Sequence, residues 1–265
     1  LHSLATRRSS ELGKVDGVTP VTWAPSALPG ERHHVMPRAM PSNLIKEVVE
    51  GYGTAAARLT AAGLDGVEIL ASHGYLLSQF LSPRINQRLD GYGGSFQNRL
   101  RMIREIISCI RSYIGDRVLG IRLSVEALVP DGANGKEMLK ICKQLESDGD
   151  LTYFSFVVGS ASTLGGSTHI VPPMEMPPDY AMPAITKLTS ALSLPVIVTG
   201  RINRPQTAER ILCAQEADLC GMTRALISDP EMPAKTITGA SDKIRVCIAC
   251  NQARSEEHTS ELQSQ

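Results

Sequence analysis

The sequence predicts an α/β fold, an incomplete (β/α)8 TIM barrel. Short segments that are apolar throughout alternate with longer segments whose apolar residues fall on one face. That is the pattern of parallel strands buried on both sides with helices packed outside them. Five such strands are readable, with a remnant of a further one near the start, where a closed barrel takes eight. Long loops rich in Gly, Ser, His and Arg follow several strands, and barrels of this kind build their active sites at that end.

Pro20 to Met40 reads as a Pro-rich loop containing Ala24-Pro25-Ser26. Its His33-His34 pair has no third ligand nearby and reads as solvated. Met40-Pro41-Ser42 opens a helix with Leu44, Ile45, Val48 and Val49 on one face and Gly63 at its end. Val67 to Leu70 is an apolar run after a Gly-containing turn, hence a buried strand. Ser72, His73, Gly74 and Tyr75 follow at once, then a long polar loop to Gly93-Gly94. Ser95 caps the helix FQNRLRMIREIISCIRSYI.

Beyond it, strands are expected at Val118 to Leu123, Tyr153 to Val158, Pro195 to Thr199 and Asp218 to Met222. Helices are expected at Lys136 to Glu146, Tyr180 to Leu192, Gln206 to Ala214 and Pro230 to Thr238, and a long loop at Gly159 to Pro178. Two turns, Gly200-Arg201-Ile202 and Gly221-Met222-Thr223-Arg224, each follow a late strand. Small residues there let backbone N–H groups approach an anion, and barrels place phosphate sites after their last strands. Structural turns are the alternative. Arg122 stands at the end of an otherwise apolar strand, either in an ion pair at the barrel mouth or facing a ligand.

The chain has 265 residues, 42% of them hydrophobic, enough for one large core. Lys+Arg 27 balances Asp+Glu 27, which favours neither nucleic acid nor an acidic membrane surface. No apolar run reaches the roughly 18 residues of a membrane span, and no signal peptide opens the sequence. Six cysteines in this length do not suggest a secreted disulfide scaffold. Cys109, Cys142, Cys213 and Cys220 read as buried thiols. A cytoplasmic protein acting on a small-molecule substrate is expected, and a homo-oligomer is allowed.

The stretch from Ala62 to Arg99 resembles the old yellow enzyme family of flavin mononucleotide (FMN) oxidoreductases. The resemblance is to the branch of 2,4-dienoyl-CoA reductase, trimethylamine dehydrogenase and N-methylproline demethylase. It rests on Asp65-Gly66-Val67-Glu68-Ile69, His73, Gly74-Tyr75-Leu76, Gln79-Phe80-Leu81-Ser82-Pro83, Asn86, Arg88, Asp90, Tyr92-Gly93-Gly94-Ser95 and Asn98-Arg99. Further matches are Gly221 to Ala225, Asp229 to Pro233, and Lys235. Leu70 stands where the first member of the family's substrate-binding His pair belongs, and Gln97 where Glu is usual.

The resemblance implies FMN, with its phosphate held by Gly200, Arg201, Gly221, Met222, Thr223 and Arg224 and its ring edge faced by Arg122. It implies Tyr75 as the proton donor of ene reduction and His73 as a substrate anchor. His169, in a loop similar to that of demethylase members, is a second substrate-binding candidate. NAD(P)H is a candidate reductant. Cys247 and Cys250 match the first half of a 4Fe–4S ligand set, so a cluster is expected only in a longer parent chain. Arg254 stands where the third cysteine belongs, and residues 254–265 read like a translated adapter, an artefactual disordered tail.

The expected domain is an FMN barrel at 1–253, cut at both ends. Its first strand precedes Leu1, Arg7-Arg8 remain of the next, and flavin and nucleotide domains follow in the parent. The preferred activity is oxidative N-demethylation of an N-methyl amine, because Leu70 removes one carbonyl donor that an ene reductase uses. Two alternatives stay open: an NAD(P)H-dependent ene or 2,4-dienoyl-CoA-type reductase, and an inactive fragment without flavin. A phosphate-binding isomerase or aldolase barrel would need a strand-end Lys or paired carboxylates, which do not appear.

Overall fold

The computed structural model describes residues 22–29, 36–126 and 134–251. His33-His34, Arg7-Arg8 and the 254–265 tail lie outside them. Five strands form one parallel sheet in sequence order: β3 (Gly66–Ala71), β4 (Val118–Ser124), β5 (Tyr153–Val157), β6 (Val196–Thr199) and β7 (Leu219–Gly221). A separate two-residue pair, β1 (Trp23–Ala24) with β2 (Arg38–Ala39), tethers the Pro-rich loop. The five strands make an arc of the expected barrel.

The pleat sorts the sheet into two faces. Ile69, Leu119, Ile121, Phe154, Phe156 and Val198 are all essentially buried. They share one apolar cluster with Ile103 and Ile106 of the helix Phe96–Ile114, Ile141 of Gly135–Asp148 and Ile185 of Met182–Thr189. The other face carries one register row across all five strands: Leu70, Arg122, Ser155, Ile197 and Leu219. Its members are half-buried or exposed except Ser155. Barrel geometry assigns that face to the interior.

Local chemistry explains the element ends. The helix Ser42–Ala61 turns Ile45 inward and is followed by Gly63 at φ 93°. Ser95 Oγ accepts from Asn98 N–H at 3.2 Å and caps Phe96–Ile114. Asn134 and Thr163 cap two further helices in the same way.

Four expectations are corrected. The supposed loop from Gly159 to Pro178 contains the helix Leu164–Ile170, nucleated by its Thr163 cap. The polar loop after β3 contains Leu76–Leu81, whose Leu76, Leu77, Phe80 and Leu81 are buried. Thr223–Ser228 is helical where only a turn is expected. Cys213 is exposed, because Ala208 and Ile211 set the buried face of Pro205–Cys213 and Cys213 falls on the opposite side. Its thiol lies 3.3 Å from Glu209 Oε1. Of the other three, Cys142 is buried and Cys109 and Cys220 are half-buried.

The loop from Ser82 to Ser95 is fixed by its own polar side chains. Asn86 is 3% exposed and its amide donates to the carbonyls of Phe80 (2.8 Å) and Tyr92 (2.7 Å). Arg88 donates to the carbonyls of Pro25 and Met40 and pairs with Asp90. Arg99 donates to the carbonyls of Leu81 and Gly94 and pairs with Glu137 at 2.6 Å. Replacing Asn86 by Ala leaves two carbonyls without their donor. Urea denaturation is expected to show a loss of about 1–3 kcal/mol; an unchanged midpoint would show that the loop is held by other contacts.

Candidate functional site

The loops at the C-terminal ends of β3, β4 and β5 are tied to one another. His73 N–H donates to Ser124 Oγ at 2.8 Å, and Ser124 Oγ donates to the Gly159 carbonyl at 3.0 Å. Ala161 N–H donates to the His73 carbonyl at 2.8 Å, and His73 pairs with Ser160 in an isolated parallel bridge. His73 sits at φ 60°, a left-handed conformation uncommon outside glycine. Tyr75 precedes the first turn of Leu76–Leu81, its ring edge-on to His73 at 6.3 Å between centroids.

A cavity of about 190 Å³ opens at this end of the sheet. It brings together His73, Arg122, His169, Gly200, Arg201, Gly221, Thr223 and Arg224, eight of the residues singled out from sequence. Cys247 also lines it. Tyr75 and Met222 stand outside this lining. Met222 instead packs against both apolar clusters. Cys250 is exposed.

The electrostatics are those of an anion site beside the neutral imidazole of His73. Arg201 Nε and Nη1 are buried without a hydrogen-bond partner, and Arg201 sits at φ 51°. A desolvated guanidinium in that state calls for an anionic partner. Arg122 lies 3.8 Å from Glu68, a long pair between half-exposed side chains and so a weak one. The ion-pair and ligand-facing expectations for Arg122 are therefore compatible. Arg224 Nη1 donates to Asn251 Oδ1 (2.7 Å) and the Pro172 carbonyl (2.9 Å), and Asn251 donates to the Val171 carbonyl. Arg224 thus brackets the Cys247 segment against the loop that follows His169.

Burial pushes the His73 imidazole down to about 4, Arg122 pushes it the same way, and a hydrogen bond with the Gly159 backbone opposes both. His73 is therefore neutral at pH 7. Burial holds the Tyr180 phenol above its ordinary range; the phenol donates to the His169 carbonyl, and the Tyr180 ring stacks on the His169 ring.

Phosphate chemistry fits these residues. A side chain at position 221 would bring a Cβ within 2.3 Å of Thr199 Oγ1, so glycine is needed for the close approach of β7 to β6 at the cavity wall. Beside it stand the unpartnered Arg201 nitrogens. A 4Fe–4S cluster does not fit: the described residues supply Cys247 and Cys250, two of the four thiolates it takes. No group of three or more metal-ligating side chains occurs among the described residues.

Sequence reasoning missed Ser124, Gly159, Asn203 and Tyr180. Asn203 Nδ2 donates to the Cys247 carbonyl at 2.8 Å, while its Oδ1 is buried and unpartnered. A usable signal existed for Ser124, a hydroxyl directly after the apolar end of a strand.

Residues 8–243 match the NADH:flavin oxidoreductase / NADH oxidase family. The chain belongs to that family. It is 37% identical over 233 residues to a metal reductase of Desulforamulus reducens, covering 86% of this chain and 34% of the relative. It is 34% identical over 233 residues to an N,N-dimethylglycine/sarcosine dehydrogenase of Chromohalobacter salexigens, covering 88% and 34%. Among solved structures, a 2-naphthoyl-CoA reductase bound to 2-naphthoyl-CoA superposes with a TM-score of 0.83 at 31% identity, covering 89% of this chain and 36% of that one. The chain spans about a third of the length of these relatives. Membership agrees with the barrel reading. No helix among the described residues is long and apolar enough to cross a membrane.

Because the folded-state value of His73 is lowered, its contribution to stability is full above pH 6.5 and is lost as pH falls through about 4. The urea midpoint of the wild type should drop over that window by more than that of His73→Gln. Parallel pH profiles would show that folding leaves the His73 pKa unshifted.

Proposed function

We propose that this chain is the FMN-binding barrel of an oxidoreductase whose reaction is oxidative N-demethylation of an N-methyl amine. The observation that carries the cofactor assignment is Arg201, a buried guanidinium with two unpartnered nitrogens beside Gly200, Gly221 and Thr223. These four residues would hold the FMN phosphate, and Arg224 would keep their surroundings closed. Arg122 would face the ring. FMN, when bound, supplies the acceptor or donor of hydride. His73 and His169 would contact the substrate, and Tyr75 would act beside His73 as a proton donor if the substrate is an alkene.

Leu70 supports the amine reading. It shares a register row with Arg122, so an apolar side chain stands where a second carbonyl donor would be useful. Similarity to the dimethylglycine/sarcosine dehydrogenase agrees with it. A second reading, NAD(P)H-dependent reduction of an α,β-unsaturated thioester, is favoured by the TM-score of 0.83 to the naphthoyl-CoA reductase. The iron–sulfur cluster, the further flavin and nucleotide domains, and cytoplasmic location belong to the proposal for the parent protein.

Two measurements test these assignments. Arg201→Ala should weaken FMN binding about 10- to 100-fold, the scale of lost charge-assisted hydrogen bonds. Flavin fluorescence quenching reads this directly, and equal affinity in the variant removes Arg201 from the site. Anaerobic mixing of the flavin-loaded protein with sarcosine, and separately with NAD(P)H, decides the substrate. Bleaching by sarcosine supports demethylation. Bleaching only by NAD(P)H, with colour restored by an unsaturated thioester, supports the reductase.

A further inference from the structure

The sheet face that carries Arg122 holds a second register row, two residues earlier along the strands. Glu68 pairs with Gly120, and Gly120 with Tyr153, across β3, β4 and β5. The middle position has no side chain, and the Tyr153 ring uses that space. A Cβ at position 120 would lie 2.1 Å from Tyr153 Cζ, so only glycine lets the ring cross β4. The phenol thereby reaches the strand beyond and donates to Glu68 Oε2 at 3.1 Å. Glu68 Oε1 faces Arg122 Nη1 at 3.8 Å. Arg122 stands two residues after Gly120 on the same face and lines the cavity. Burial, and then the Glu68 carboxylate, hold the phenol above its ordinary range, so it stays a donor.

Three strands thus supply one chain of contacts: phenol, carboxylate, guanidinium. The two carboxylate oxygens have different partners, which fixes the carboxylate better than a lone ion pair would. A long, partly exposed pair adds little to stability. Its charges still act on a ligand that meets the guanidinium.

We infer that Glu68, held by Tyr153 across Gly120, is a positioning residue that orients Arg122 and offsets part of its positive charge at the cavity. A cation at the ring edge stabilises the negative charge that a flavin gains on reduction, and a carboxylate beside that cation opposes it. Glu68 therefore lowers the reduction potential of bound flavin. This tuning rests on the proposal that Arg122 faces the FMN ring; the positioning of Arg122 does not.

Flavin-free protein tests the positioning. Tyrosine and arginine labelled with ¹³C at Cζ give two reporters, assigned by their loss in Tyr153→Phe and Arg122→Lys. Glu68→Gln keeps the shape and removes the charge, and it should move both resonances. Either resonance unmoved overturns the positioning. If Glu68→Gln does not fold, Glu68→Asp replaces it: its carboxylate retreats by one methylene, and both resonances should again move.

Tuning is read on the flavin-loaded protein by anaerobic potentiometric titration at low ionic strength, where screening is least. Glu68→Gln should shift the flavin potential positive of the wild type, and added salt should narrow the difference. A purely structural Glu68 would change stability and leave the potential alone. An equal or more negative potential overturns the tuning. Failure of the wild type to hold FMN would strike the proposed function and the tuning with it, and would leave the flavin-free result standing, so the two failures are distinguishable.

Discussion

One-sided burial of a parallel sheet is the constraint on which the rest of this structure depends. Ile69, Ile121, Phe154 and Phe156 lock the outer face of β3 to β5 into the same apolar cluster as Ile103, Ile106 and Ile141. Because side chains alternate with period two, that locking sends Arg122, Ser155 and Glu68 to the opposite face without further instruction. In-register parallel strands also end at a common level, so the loops after them converge. Polar chemistry is thereby gathered at one end by apolar packing elsewhere.

The most recognisable stretch of the chain owes much of its polarity to architecture. Asn86, Arg88, Asn98 and Arg99 spend side-chain donors on backbone carbonyls of their own loop or its neighbours. A loop this long has many carbonyls outside any ladder, and buried ones need donors. Side chains with several donors in fixed geometry meet that need. The loop is then rigid enough to hold the segment from Ser72 to Tyr75 against β4 and β5.

Strand order, the positions of the longer helices and the outer core were legible because they follow from period and from capping residues such as Ser95 and Gly63. The cavity residues were legible in part. Arg201 and Arg224 follow strands, but the sequence does not distinguish an arginine left without partners from one fastened to Asn251 and Pro172. That difference arises from contacts 27 and 52 residues apart in the chain. Leu164–Ile170 was missed because Gly165, Gly166, Ser167 and Thr168 fill its middle and propensity disfavours a helix there; the Thr163 cap and packing around His169 override this. The Ser124–His73–Gly159 closure joins the ends of three strands, and only Ser124 leaves a local mark, a hydroxyl after an apolar run.

Strain and desolvation coincide around the cavity. His73, Arg201, Ala249 and Asn251 are non-glycine residues at positive φ, and each lines the cavity or bonds a residue that does. Arg201 adds a buried cation with two unpartnered nitrogens. Both features cost stability in the folded chain. An anion binding Arg201 removes the second cost only in the folded state, so its binding energy adds to folding stability by mass action. The ligand that completes the site is in this way also part of what holds it in shape.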